Sequence, residues 1–195
     1  VASEIAIRAL IGLDEEPDRG EPLRALRTAV DQANREIHAT AESERAHQGM
    51  GTTVTALLLS GGQFALLHVG DSRAYLLRDG VLSQVTRDDT YVQALVDQGV
   101  LTPEGARNHP QRSLVTRAVH GEHIAPTCQL VSAQPGDRFL LCSDGLSDIV
   151  TDAAIGQTLL SYPEPQECAE QLVKLALQAG APDNVTVIVA DVTTG

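Results

Sequence analysis

Cysteine is scarce: the 195 residues hold only Cys128, Cys142 and Cys168. An odd number at these separations fits neither a disulfide framework nor a zinc site, so all three read as reduced core residues of a protein in a cytoplasmic setting. Long apolar runs are also missing. Nothing approaches the roughly 18 apolar residues of a membrane span, and no basic-then-apolar leader opens the chain. Basic residues are few, 14 Lys and Arg against 26 Asp and Glu, for a net charge of −12. That balance argues against gripping a phosphate backbone, so nucleic acid is not an expected partner, and an acidic surface suits cations better.

Repeats, low-complexity tracts and long linkers are absent as well. The length is that of one domain, 1–195, able to bury about 70% of its unfolded surface in a core. Residues 1–11 read as a helix. A longer one follows Pro22, with Leu23, Leu26, Val30, Ala33 and Ile37 spaced three and four apart. After Gly49 the period shortens. The runs TVTALLL, QFALLHV, RAYLLR and VLSQVT are broken by Ser-Gly-Gly at 60–62, Gly-Asp-Ser at 70–72 and Arg-Asp-Gly at 78–80, which predicts an antiparallel meander.

Residues 87–112 are polar and read as a small flap with two short helices, one around Tyr91–Asp97 and one capped by Thr102 with Pro103 at its first position. Strands near 127–132 and 137–143, helices near 151–160 and 165–179, and a last strand in NVTVIVADV complete the order. Helices, sheet, helices, strand is the sequence of an α+β sandwich in which helices cover antiparallel sheets.

Three aspartates stand where an apolar run stops or starts. Asp71 follows ALLHVG, Asp144 follows RFLLCS, and Asp183 precedes NVTVIVADV. Each has turn residues beside it: Gly70, Gly145, and Pro182 with Asn184. Alone, each motif reads as a turn or, for Asp71 and Arg73, as a surface ion pair of little energetic value. If their strands are neighbours, the carboxylates converge and repel until a proton or cation balances them. Oxygen donors without His or Cys favour Mg²⁺ or Mn²⁺ over Zn²⁺. The six histidines have no metal-ligand spacing among themselves; His68 reads as a packed core residue, and His38, His47, His109, His120 and His123 as solvated or structural.

Taken together, GMGTTVTALLL (49–59), HVGDSRAYLLRDG (68–80), HPQRSLVTRAV (109–119), GDRFLLCSDGLSDIV (136–150) and APDNVTVIVADV (181–192) resemble, in order and spacing, the protein phosphatase 2C family of metal-dependent serine/threonine phosphatases. The likeness is to bacterial members, closest to the actinobacterial type that opposes PASTA-type kinases. It implies an αββα sandwich with a metal cluster at one end and a flap at about 87–120. It implies hydrolysis of phosphoserine and phosphothreonine in proteins by a metal-bridged hydroxide, with Mn²⁺ or Mg²⁺ as the ions. By the same resemblance Asp144 bridges two ions, Asp183 binds the first, and Asp71 and Ser113 share a third with Asp144. Asp148 is expected to cap the segment after it. Many relatives carry His where Asp89 stands, which leaves that position without an assigned role. Phosphoproteins and a PASTA-type kinase are the implied partners, in a cytoplasmic domain that some relatives tether through a membrane helix.

The resemblance also breaks. Two opening motifs of the family, one with a phosphate-gripping arginine and one with a metal-bridging aspartate, have no counterpart ahead of residues 1–11. The expectation is therefore an N-terminally incomplete domain, its first strands absent, with catalysis impaired by the lost bridging carboxylate. A phosphatase-like binding module is the rival reading. A second rival, a threonine N-terminal-nucleophile hydrolase, rests on GMGTT and needs cleavage before Thr52 or Thr53 and a nearby lysine, whereas the single lysine is Lys174.

Overall fold

The computed structural model describes residues 1–15, 21–60 and 62–193, so Gly61 of the expected Ser-Gly-Gly break lies outside the described residues. Helices α1 (Ala2–Ile11) and α2 (Pro22–Ser43) come first, then strands β1 (Val54–Ser60), β2 (Gln63–Val69), β3 (Arg73–Arg78) and β4 (Val81–Gln84). Short helices α3 (Tyr91–Asp97) and α4 (Pro103–Arg107) precede β5 (Thr127–Ser132) and β6 (Arg138–Cys142). The chain closes with α5 (Asp144–Ser147), α6 (Asp152–Ser161), α7 (Pro165–Gln178) and β7 (Val187–Asp191). The expected α+β class, two antiparallel sheets flanked by helices, is what forms. Among the described residues no helix is long and apolar enough to cross a membrane.

The residues group into two compact units. The first comprises Val1–Gly70, Asp89–Tyr91 and Ser113–Ser132, and holds the sheet β1-β2-β5. The three- and four-residue spacing on α2 puts Leu26, Val30, Ala33 and Ile37 on one stripe, and they share a core with Ala65, Leu67 and Val69 of β2. Each fully buried aliphatic side chain there contributes about 1.5–3 kcal/mol. His68, fully buried, meets Thr55 Oγ1 through Nδ1 at 2.9 Å, the packed strand histidine that its neighbours predicted.

The second unit comprises Asp71–Asp88, Val92–Arg112 and the chain from Ala133 onward, and holds the sheet β4-β3-β6-β7. Tyr75, Leu140 and Cys142 of its central strands pack with Leu146, Ile155, Leu159, Cys168 and Leu172 of the helices. Cys142 and Cys168 are buried and Cys128 partly so, and all three are free thiols.

The four β runs do not form one meander. β1 pairs with β2 and β3 with β4, but β2 and β3 belong to different sheets. The connector Gly70-Asp71-Ser72 is three residues long, and Gly70 adopts φ +110°, open to glycine and strained for other residues. A Cβ there would stand 2.3 Å from Thr53 Cγ2. The expected cap of α4 is present, Thr102 Oγ1 accepting from the Gly105 amide at 3.1 Å. Helix α6, however, is capped by Thr151, whose Oγ1 accepts from the Ala154 amide at 3.2 Å; Asp148 is occupied elsewhere.

Candidate metal centre

Strand register in the second unit decides where the aspartates go. Arg73 at the start of β3 lies opposite Cys142 at the end of β6, and Cys142 lies opposite Val187 at the start of β7. Asp71 is two residues before Arg73, Asp144 two after Cys142, and Asp183 four before Val187, so all three leave the sheet at the same end. The register thus brings the three segments to one rim of this sheet, with one difference from the expectation. Asp71 comes to this rim as the lead-in to β3, the neighbour of β6, and not as the end of β2.

The turn bearing Asp144 is tied to the segment bearing Asp183 through the residues beside them. Ser143 Oγ accepts from the Thr186 amide at 3.0 Å and donates to the Asn184 carbonyl at 3.2 Å, and the Ser143 amide donates to the Thr186 carbonyl at 3.1 Å. Gly145 lies so close that a Cβ on it would stand 2.2 Å from the Asn184 oxygen. Asp144 Oδ1 accepts from the Gly145 amide at 2.9 Å, and Asp183 Oδ1 from the Asn184 amide at 2.7 Å. Both carboxylates keep further oxygen lone pairs for a ligand.

Electrostatics mark the same place. Burial first, and then the charge of Asp144 with smaller pushes from Asp88 and Asp148, raises the Asp71 carboxyl to about 6. Asp148 is raised as well, by burial and then by Asp144. A desolvated carboxyl crowded by others is the donor chemistry that a divalent cation relieves, and the donors are all oxygen, so Asp71, Asp144 and Asp183 fit Mg²⁺ or Mn²⁺. Among the described residues, no three His, Cys, Asp or Glu side chains stand close enough to form a ready-made metal group.

The cap expected of Asp148 is supplied by Thr151, and Asp148 instead lies beside an arginine distant in sequence. Arg112, just ahead of Ser113, approaches it at 3.7 Å. Ser113 itself is exposed in a turn and belongs to the first unit. Arg73 does not pair with Asp71. Its guanidinium grips Asp88 through three hydrogen bonds of 2.7–3.0 Å and donates to the Tyr75 hydroxyl at 3.1 Å, which in turn donates to Asp152 at 3.1 Å. Asp89 has a definite task too: its carboxylate, 2% exposed, accepts from the Gly70 amide at 3.0 Å and from Arg117. Thr52, the nucleophile of the second rival reading, sits within the chain, its amide and carbonyl both bonded to Val119.

Comparison with known proteins agrees with this geometry. The pattern of the protein phosphatase 2C family matches residues 1–177. The serine/threonine protein phosphatase PstP of Mycobacterium tuberculosis is 53% identical over 192 residues, covering 98% of this chain but only 37% of that protein. The serine/threonine phosphatase stp of Listeria monocytogenes is 36% identical over 196 residues, covering 98% of this chain and 78% of the relative. A crystal structure of the Mycobacterium tuberculosis phosphatase PstP/Ppp superposes with a TM-score of 0.95 at 52% identity, over 99% of this chain and 82% of that one. A second, of the PstP catalytic domain in complex with two manganese ions, gives 0.92 at 50% identity, over 99% and 81%. A match over nearly the whole chain, in sequence and in fold, agrees with the resemblance carried by the five motifs: the chain belongs to the protein phosphatase 2C family.

Proposed function

We propose that this protein hydrolyses phosphoserine and phosphothreonine in proteins with the help of Mn²⁺ or Mg²⁺, opposing a serine/threonine kinase. The observation that carries the reading is the shared rim of Asp71, Asp144 and Asp183, where register delivers three carboxylates and burial makes one of them costly to charge. The relative with manganese in its catalytic domain supports the choice of ion. Asp144 and Asp183 would hold the catalytic ions, with Asp71 and Ser113 contributing to a further one. Bound there, a divalent cation activates water and offsets charge on the phosphoryl oxygens.

The chain's own residues do the positioning. Ser143 locks the Asp183 segment to the Asp144 turn, and Gly145 permits an approach that any side chain would block. The pair Arg112 and Asp148 ties the residue ahead of Ser113 to the turn that begins at Asp144. Residues of the flap, about 87–120 within a single phosphatase domain, would shape access of a phosphoprotein. A PASTA-type kinase and its substrates in the cytoplasm are the partners this reading favours, on the likeness to PstP.

The test is release of inorganic phosphate from a phosphothreonine peptide. EDTA should stop it and Mn²⁺ restore it. Turnover that survives complete chelation would refute the proposal.

A further inference from the structure

Asp71 sits in a three-residue connector, is partly desolvated, and faces the charges of Asp144, Asp88 and Asp148, with a hydrogen bond from its own backbone set against them. The residues flanking Asp71 are both held by consecutive aspartates. One residue before it, the Gly70 amide donates to Asp89 Oδ2 at 3.0 Å while the Asp89 amide donates to the Gly70 carbonyl at 2.7 Å. Asp89 is itself fixed: its carboxylate receives Arg117, and its carbonyl accepts from the Thr116 amide at 2.7 Å and the Thr116 hydroxyl at 2.9 Å. Two residues after Asp71, Arg73 is gripped by Asp88, whose carboxylate also receives Gln84 at 2.9 Å. The arginine and Asp88 side chains are 15% and 8% exposed, so their bonds are little weakened by water.

We propose that Asp88 and Asp89 are positioning residues for Asp71, Asp89 by fixing Gly70 ahead of it and Asp88 by fixing Arg73 behind it. The inference rests on the phosphatase reading only for what Asp71 then does. A carboxylate that must meet a cation from a short connector needs both ends of that connector immobile, as partners one step outside a metal centre commonly provide. It also gives Asp89 a task that its carboxylate performs through hydrogen-bond acceptance and charge together, which asparagine would supply only in part.

The experiment compares wild type with Asp88→Asn, Asp89→Ala, Asp89→Asn and Asp71→Asn, and with Asp71→Asn combined with Asp89→Ala. Hydrogen exchange of residues 69–73 is read first, without metal. Asp89→Ala should speed exchange there about tenfold or more while the strands of the sheets keep their protection, and Asp89→Asn should fall between. Mn²⁺ titrations of peptide dephosphorylation are read second. Asp88→Asn and Asp89→Ala should each raise the Mn²⁺ needed for half-maximal rate about 10-fold or more. In the Asp71→Asn background, Asp89→Ala should add no further change, because its route to the metal runs through Asp71. Unchanged exchange at 69–73 in Asp89→Ala would overturn the proposal even if the protein never dephosphorylates a peptide. Additive effects in the double variant would overturn it too. An inactive wild type would instead count against the phosphatase reading alone.

Discussion

Gly145 and Asn184 stand so close that a methyl group on the glycine would lie 2.2 Å from the asparagine carbonyl oxygen. This contact joins the two parts of the chain that carry Asp144 and Asp183, and it lies between backbone atoms that cannot swing aside.

Gly145→Ala should therefore push the 183–186 segment away from the Asp144 turn. A displacement on the order of 1 Å at a reacting centre can cost about 100-fold in rate. We expect a loss of that size in metal-dependent phosphate release, with the cooperative unfolding transition retained. Steady-state rates and a thermal melt check this, and near-wild-type turnover would show that the contact does not set the geometry.

How much of this was legible beforehand follows from the kind of signal each feature leaves. Period-two and period-three-to-four runs gave the strands and the long helices to within a few residues, since β2 and α2 advertise their faces locally, whereas the one-turn helix α5 is too short to leave a period. The aspartates at strand ends were visible because turn residues flank them. Two things were not visible. The jump from β2 to β3 between sheets depends on pairings of β3 with β6, more than sixty residues on, so the runs looked like one meander. The arginine partners of Asp88, Asp89 and Asp148 also lie outside any local window, and GDSR read in isolation offered Asp71 as the partner of Arg73 when the true one, Asp88, is 15 residues on. Long-range polar pairing leaves no periodic trace in a sequence.

Arg138 holds the far end of the second sheet. Its guanidinium donates to both oxygens of Asp191 at 2.6 and 2.7 Å, to the carbonyls of Leu159 and Tyr162 at 2.8 and 2.6 Å, and to that of Pro163. Leu159 lies in the last turn of α6 and Tyr162 and Pro163 directly after it, where helix carbonyls run out of intrahelical partners. Arg138→Met should destabilise the fold by about 3 kcal/mol, since it leaves a carboxylate and several carbonyls without their donor. Chemical denaturation measures it, and a change below about 1 kcal/mol would contradict the assignment.

Acid should act through Asp137. Its side chain is 2% exposed, and the hydrogen bonds from Arg78, with the Gln134 amide accepted at 2.8 Å, hold its carboxyl below the usual range. A carboxyl lowered by folding contributes stability above its unfolded pKa, roughly 3.9, and that contribution is lost as the pH falls through the folded value. Melting temperatures of wild type and Asp137→Asn should therefore converge as the pH is taken below about 4 and separate near neutrality. A constant difference across that window would show that the ionised carboxylate is not what Arg78 requires.

On the proposed function, Asp144 would hold a divalent cation at the site where water cleaves a phosphoester. The most direct measurement is Mn²⁺-dependent phosphate release from a phosphothreonine peptide by the wild-type protein and by Asp144→Asn, with manganese binding followed alongside. The account predicts metal-dependent release by the wild type, and no release and weakened manganese binding in the variant. Comparable turnover by both would contradict it.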